Sequence, residues 1–166
     1  MDQVDIEDRV RAELTALGVA HEEMPCDPQF ADTAAFCARY GVDPADSANA
    51  ILVASSRPPG RHAVCVLLAT TRLDVNRAVC RLLDVRRASF ASAEQTRALS
   101  GMLIGGVTVF GLPGGLPIFV DARVMRRPSV VIGGGSRSLK LRLPPAELTK
   151  IPGLRVVEDL AREPSP

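Results

Sequence analysis

The chain has 166 residues, 46% hydrophobic and 23% charged, which suits one folded domain and excludes a disordered, collagen-like or coiled-coil chain. Lys and Arg number 20 against 19 Asp and Glu, yet residues 1–32 are net −7 (nine acids, two arginines) and residues 33–166 are net +8. The near-zero total therefore excludes a chain that is basic all over and leaves a polyanionic partner open.

Ile6, Val10, Leu14 and Leu17 repeat at helical spacing with Gly18 behind them, so residues 3–17 are predicted as an amphipathic helix. Residues 19–24 read as an edge strand, and Asp32 opens a compact helix that runs to Tyr40 and stops at Gly41. The apolar runs 47–55 and 62–70, separated by the turn residues RPPGR, predict a hairpin or adjacent buried strands. Val75, Val79, Leu82 and Leu83 give 73–84 a helical period, and Ser92 with Gln95 forms a capping-box start for a helix ending near Ser100-Gly101. From Gly101 the texture changes to glycine, proline and short apolar runs at 105–111, 117–122, 129–135 and 139–143, all predicted as strands. PPAELTKI (144–151) predicts a last helix and LRVV (154–157) a final strand. Short strands interleaved with helices and tight turns imply a mixed α/β fold, either a mixed sheet or a small barrel with helices outside.

No apolar run approaches the ~20 residues of a bilayer span, and the acidic opening MDQVDIEDRV is unlike a signal peptide, so a soluble, cytoplasmic protein without a membrane partner is expected. Cys26, Cys37, Cys65 and Cys80 form no C-x-x-C pair and are expected as reduced structural thiols. The two histidines, His21 and His62, lack metal-ligand spacing, so neither a metal nor a cofactor is expected. No G-x-S-x-G elbow surrounds any serine, which argues against a serine nucleophile.

Two features remain for chemistry. Gly105-Gly106, Gly114-Gly115 and Gly133-Gly134-Gly135 each adjoin an apolar run, and consecutive glycines let backbone N–H groups approach an anion. Gly114-Gly115 reads as a hairpin turn, whereas Gly133–Gly135 divides evenly between a strand end and a ligand loop. Arginine outnumbers lysine 18 to 2, with one acid-free stretch holding Arg123, Arg126, Arg127, Arg137, Lys140 and Arg142. A second cluster holds Arg72, Arg77, Arg81, Arg86 and Arg87. Guanidinium groups fork onto phosphate oxygens, so a nucleic-acid face and a merely solvated face stand level on composition.

The blocks HEEMPCDP, LLATTRLDVNRAVCRLLDV, SAEQTRALSGMLIGGVTVFGLP, PIFVDA and VVIGGGSRSLKLRL, in this order, resemble the YbaK/ProX family of aminoacyl-tRNA editing domains over residues 20–152. The resemblance implies a barrel-like, mostly antiparallel α/β sheet ringed by helices, and hydrolysis of the ester that joins a wrong amino acid to tRNA. It also implies a pocket between strand 47–54, loop 105–110 and loop 133–136. The family relies on a ribose hydroxyl of the substrate and on backbone donors, so the implied catalytic set is Asn49, Gly105, Gly106, Thr108, Gly134 and Gly135. Ala50, Val109, Asp121, Gly133, Ser136 and Arg137 are the implied substrate-binding residues. The tRNA would lie across Arg72, Arg77, Arg123, Arg126, Arg127 and Lys140, with the N-terminal helix turned away, and a synthetase is a candidate partner.

Gly105, Gly106, Asp121, Gly134, Gly135 and Arg137 match the family pattern, but several pocket positions depart from it. Asn49-Ala50 stands where the family has Lys-Thr, Val109 where its loop has proline, and Gly133 where it has a small polar residue. Lys140 and Arg142 occupy positions that are often acidic. Strand alternation would put Leu139, Leu141 and Leu143 on one face and Lys140 and Arg142 on the other, away from the pocket. Two functions follow: a free-standing deacylase with altered specificity, or a module that binds tRNA or an aminoacyl group without hydrolysis. Binding of a free amino acid or its adenylate is a third reading.

Overall fold

The computed structural model describes residues 3–164, so Met1 and Asp2 of the expected N-terminal segment lie outside the described residues. Helix α1 (Gln3–Leu17) buries Ile6, Val10 and Leu14 to 1% exposure or less, as the periodicity predicts. Strand β1 (Glu22–Pro25) and helix α2 (Thr33–Tyr40) follow, then the long strands β2 (Ala48–Arg57) and β3 (Pro59–Leu68). Strand β4 (Arg72–Leu73) precedes a π-helical turn, Val75–Val79, that runs into α3 (Cys80–Leu83), so helix 73–84 is broken rather than continuous. Strand β5 (Arg87–Phe90) leads into α4 (Ala93–Ser100), whose Ser92–Gln95 capping box is complete. After a loop come β6 (Ile118–Asp121), α5 (Ala122–Met125), β7 (Val130–Gly133) and β8 (Leu139–Leu143). A 3-10 turn, Pro145–Lys150, replaces the expected last helix and leads to β9 (Arg155–Val157) and β10 (Ala161–Arg162).

The strands form separate sheets rather than a closed barrel. A five-stranded sheet has the order β5-β2-β3-β6-β9, a three-stranded sheet the order β1-β8-β7, and β4 pairs with β10. Pairing is antiparallel except for β3 with β6 and β6 with β9, so the fold is mixed α/β and mostly antiparallel. One parallel bridge, Ser47 to Val131, stitches the two larger sheets together beside the start of β2. Strand β3 is buried on both faces. Val64, Val66 and Leu68 join the core beneath α1, and Ala63, Cys65 and Leu67 join a second core with Val79, Leu83 and Phe119. This explains a continuous apolar run instead of an alternating one.

Residues 105–111, expected as a strand, form a loop. Gly105 and Gly111 take φ values of 95° and 73°, incompatible with a pleat, and Gly106 accepts from the Gly135 N–H at 2.7 Å. The loop therefore docks on the neighbouring glycine loop, not on a sheet edge.

Candidate active site

Three segments converge where the sheets meet. Asn49 and Ala50 sit at the start of β2, Thr33 and Phe36 on the first turns of α2, and Gly105 and Val107 in the loop after α4. With Gly133 of β7 and Lys140 of β8 they line a chamber of about 50 Å³. Thr33, Asn49, Ala50 and Val107 also wall an adjoining groove of about 290 Å³, whose far side is Ile51, Leu52, Phe90, Ala91, Thr96 and Ile104. A small polar chamber thus shares a wall with a larger, mainly apolar groove, the pairing of apolar surface and a few convergent polar groups typical of ligand sites.

Lys140 supplies the charge. It alternates away from Leu139 and Leu141, as its strand position requires, but that second face of β8 is not solvent. It is covered by α2 and the Cys26–Phe36–Val131 cluster. Lys140 is consequently 7% exposed, donates from Nζ to the Gly105 carbonyl at 2.7 Å, and lies 5.6 Å from the centre of the Phe36 ring. Burial pulls its pKa below the ordinary lysine value. The expectation that Lys140 faces away from the pocket, with tRNA as its partner, is corrected: alternation gave the right face, and helix packing made that face the chamber wall.

Asn49 is oriented by a residue that the sequence did not single out. The Thr33 hydroxyl donates to Asn49 Oδ1 at 2.5 Å, which leaves the Asn49 amide hydrogens as donors. Thr33 stands immediately after the helix-opening Asp32, and that adjacency to the pocket was its only sequence signal.

The glycine loops are built differently from expectation. Gly106 donates its N–H to Leu103 O at 2.9 Å, Gly134 to Leu139 O at 2.9 Å and Gly135 to Gly106 O at 2.7 Å. These three amides hold the loops together and are not open donors. Among the described residues the N–H groups of Gly105 and Val107, both chamber-lining, have no protein acceptor. Gly105 is required by its φ of 95° and because a Cβ there would collide with the Arg137 guanidinium. Arg137 itself is occupied as a staple, donating to Asp32 Oδ1 at 3.0 Å, Ile104 O at 2.8 Å and Pro28 O at 2.9 Å. It fixes the loop to the start of α2 and is not placed to grip a ligand.

The remaining expected residues divide. Ala50 and Gly133 line the chamber. Thr108 is fully buried, with a hydroxyl that has no partner among the described residues, and Val109 is packed into the main core at 1% exposure. Ser136 is buried and donates to Glu7 Oε1 at 2.5 Å, so α1 grips this loop from behind. Asp121 is wholly buried, accepts the Ala161 N–H at 3.2 Å and pairs with Arg123 at 3.4 Å. It anchors the C-terminal segment and lines neither the chamber nor the groove. Arg123, Arg126 and Arg127 are spent on acids of this chain: Arg126 meets Glu158 at 2.9 Å and Arg127 meets Asp46 at 2.8 Å. Arg72 and Arg77 remain exposed, without an ion pair among the described residues.

The four cysteines are free and buried. Burial pushes the Cys65 thiol up to about 12 and also raises Cys26, so neither is a thiolate nucleophile near neutrality. No helix among the described residues is long and apolar enough to cross a membrane.

The family model of the aminoacyl-tRNA editing domain matches residues 27–151, which span α2, both glycine loops and β8. The chain belongs to this family. Two solved structures share the editing-domain fold. One, "hypothetical protein APE2540", has TM-score 0.82 and 24% identity over 93% of this chain and 99% of that one. The other, "a putative trans-editing enzyme for prolyl tRNA synthetase", has TM-score 0.78 and 22% identity over 92% of this chain and 94% of that one. No curated protein matches the chain. Helix α1 lies outside the matched residues of the editing domain yet packs directly behind its second glycine loop.

Proposed function

We propose that this editing domain is a free-standing deacylase that hydrolyses the ester between a small amino acid and the terminal ribose of a mischarged tRNA. The observation that carries the reading is the convergence of the buried Lys140 ammonium, the Thr33-oriented Asn49 amide and two unpaired loop amides on one small chamber beside an apolar groove. The family's lysine is absent from β2, and Lys140 reaches the chamber from β8 instead.

The chemistry follows from those donors. Water adds to the ester carbonyl carbon, and negative charge develops on the carbonyl oxygen. The Gly105 and Val107 amides, with the Asn49 amide, are the groups available to receive that charge, and removing one such donor typically costs about 10²–10³ in rate. Lys140 spends one N–H on Gly105 O and keeps two for the substrate, adding a charge-assisted bond worth about 1.5–3 kcal/mol. When the tetrahedral adduct collapses, the carbon–oxygen bond to the ribose breaks and the leaving oxygen takes a proton, which releases free amino acid and tRNA. Ser47 lines the chamber, but no histidine does, so attack by water with help from a substrate hydroxyl needs no protein nucleophile.

A chamber of about 50 Å³ has room for only a few heavy atoms, since about 10–15 Å³ on this scale holds one water. Release of small residues such as alanine, serine or cysteine, and no release of phenylalanine or leucine, is the expected outcome with a panel of mischarged tRNAs. No release from any member of the panel, together with tight binding of the same tRNAs, would replace the deacylase with the binding-module reading.

A further inference from the structure

The arginines fall into two populations. Arg123, Arg126, Arg127, Arg137 and Arg162 each meet a carboxylate at 2.8–3.4 Å. At the far end of the β2–β3 hairpin the situation reverses. Arg57, Arg86 and Arg87 are exposed and make neither an ion pair nor a side-chain hydrogen bond among the described residues. Arg57 of β2 is the register partner of Arg87 on β5, and the Arg86 N–H donates to the Arg57 carbonyl at 2.7 Å. Like charges opposite one another on neighbouring strands are destabilising, and this pair, which stands at a register shift between Ser55 and Arg57, has no ion-paired acid among the described residues. Asp84 shares a shallow concavity with Arg57 and Arg86 but pairs with neither.

The cluster is also aligned with the groove. Strand β5 is the edge of the five-stranded sheet, and Phe90 stands three positions, about 10 Å of strand, beyond Arg87. Phe90 and Ile104, 54% and 53% exposed, form the lips of the apolar groove. The cationic cluster therefore stands about 10 Å along β5 from the lip of the groove.

We infer that Arg57, Arg86 and Arg87 bind successive phosphates of the RNA strand whose 3′ end occupies the groove. Three forked cations clustered where the end of β2 meets the start of β5 match a polyphosphate chain, and an RNA strand supplies that chain beside the groove. The inference rests on the proposed function for the identity of the RNA; of the two arginine clusters expected to meet tRNA, it takes the Arg86–Arg87 end of the second, with Arg57 added, in place of the 123–142 stretch.

The test is equilibrium binding of an uncharged RNA hairpin with a single-stranded 3′ end, across about 50–200 mM salt, to the parent protein and to R57Q/R86Q/R87Q. Each lost phosphate contact lowers the slope of log affinity against log salt by about 0.7–0.9, so the triple variant should lose about 2 from the slope. Its affinity at low salt should fall at least tenfold. R126Q/R127Q, which removes ion-paired arginines, should change the slope by less than one. Equal losses in the two variants, an unchanged slope in the triple variant, or parent protein that binds polyglutamate in preference to RNA would each overturn the inference. Thermal unfolding of both variants checks that they are folded. Hydrolysis of an aminoacyl ester of adenosine alone, too short to reach the arginines, separates the two readings. The triple variant should match the parent in that assay. A parent inactive on every such ester, with the RNA slope behaving as described, removes the deacylase reading and leaves this surface standing.

Discussion

At Lys140 one buried ammonium group sets two pH dependences of opposite sign. Its pKa is lowered chiefly by burial, so the charge needed by the substrate is lost as pH rises through that lowered value. Catalysed deacylation, corrected for the spontaneous rate, should therefore fall on an alkaline limb below the ordinary lysine range, and Lys140→Met should lose both that limb and about 10–100-fold in rate. A limb that persists in the variant would assign it to another group. Stability runs the other way. The unfolded chain keeps the Lys140 proton to higher pH than the folded one, so resistance to urea should rise with pH between the lowered value and the ordinary one, and this rise should vanish in Lys140→Met. Thr33→Val should leave the fold intact and slow deacylation roughly three- to tenfold, because Asn49 loses the bond that aims its amide. Rate measurements alongside a melting curve distinguish that outcome from simple unfolding.

At the scale of elements, the site depends on a helix that the family match does not include. Helix α1 presents Glu7 to Ser136, and a Cβ at Gly135 would stand 2.8 Å from Val10 Cγ2 and 3.0 Å from Ile6 Cγ2, with φ at 103°. Gly135→Ala should therefore cost about 1–3 kcal/mol in denaturant unfolding, the range for overpacking a closed interior. Most elements were legible from periodicity and punctuation. Ile6, Val10 and Leu14 marked α1, Gly41 marked the end of α2, and the Ser92–Gln95 box marked the start of α4. Misreadings arose where apolar residues stand beside glycine. The 105–111 run has strand composition, but its docking on loop 133–136 depends on contacts far away in sequence. At Pro145–Lys150 the expected helix is a six-residue 3-10 turn, a short tightened form that propensity and the opening prolines do not distinguish from an α-helix.

For the whole molecule, two sheets meeting at Ser47 and Val131 create the cleft, and away from it a partly buried ion pair anchors the C-terminal segment. Asp121 accepts the Ala161 N–H, and Arg123 donates to the Ala161 carbonyl at 2.7 Å, so this pair pins β10 against the five-stranded sheet. Asp121→Ala should destabilise the protein by about 1.5–3 kcal/mol in urea unfolding, the range for a hydrogen bond to a charged group, with ester hydrolysis by the folded fraction unchanged. A specific loss of hydrolysis without loss of stability would return Asp121 to the site. The candidate site was legible in its backbone: Asn49, Ala50, Gly105 and Gly133 do share one chamber. The charge at that site was not. The sequence by itself determined the mixed α/β class, the main helices and strands, the editing-domain family and the uneven charge, because these are carried by local periodicity and by ordered motifs. Only the tertiary structure decided that Lys140 enters the chamber, that Asp121 and Arg137 are staples, and which arginines remain unpaired. Those outcomes depend on which face of a strand another element covers and on which acid lies across a fold, and neither is encoded by neighbours in the chain.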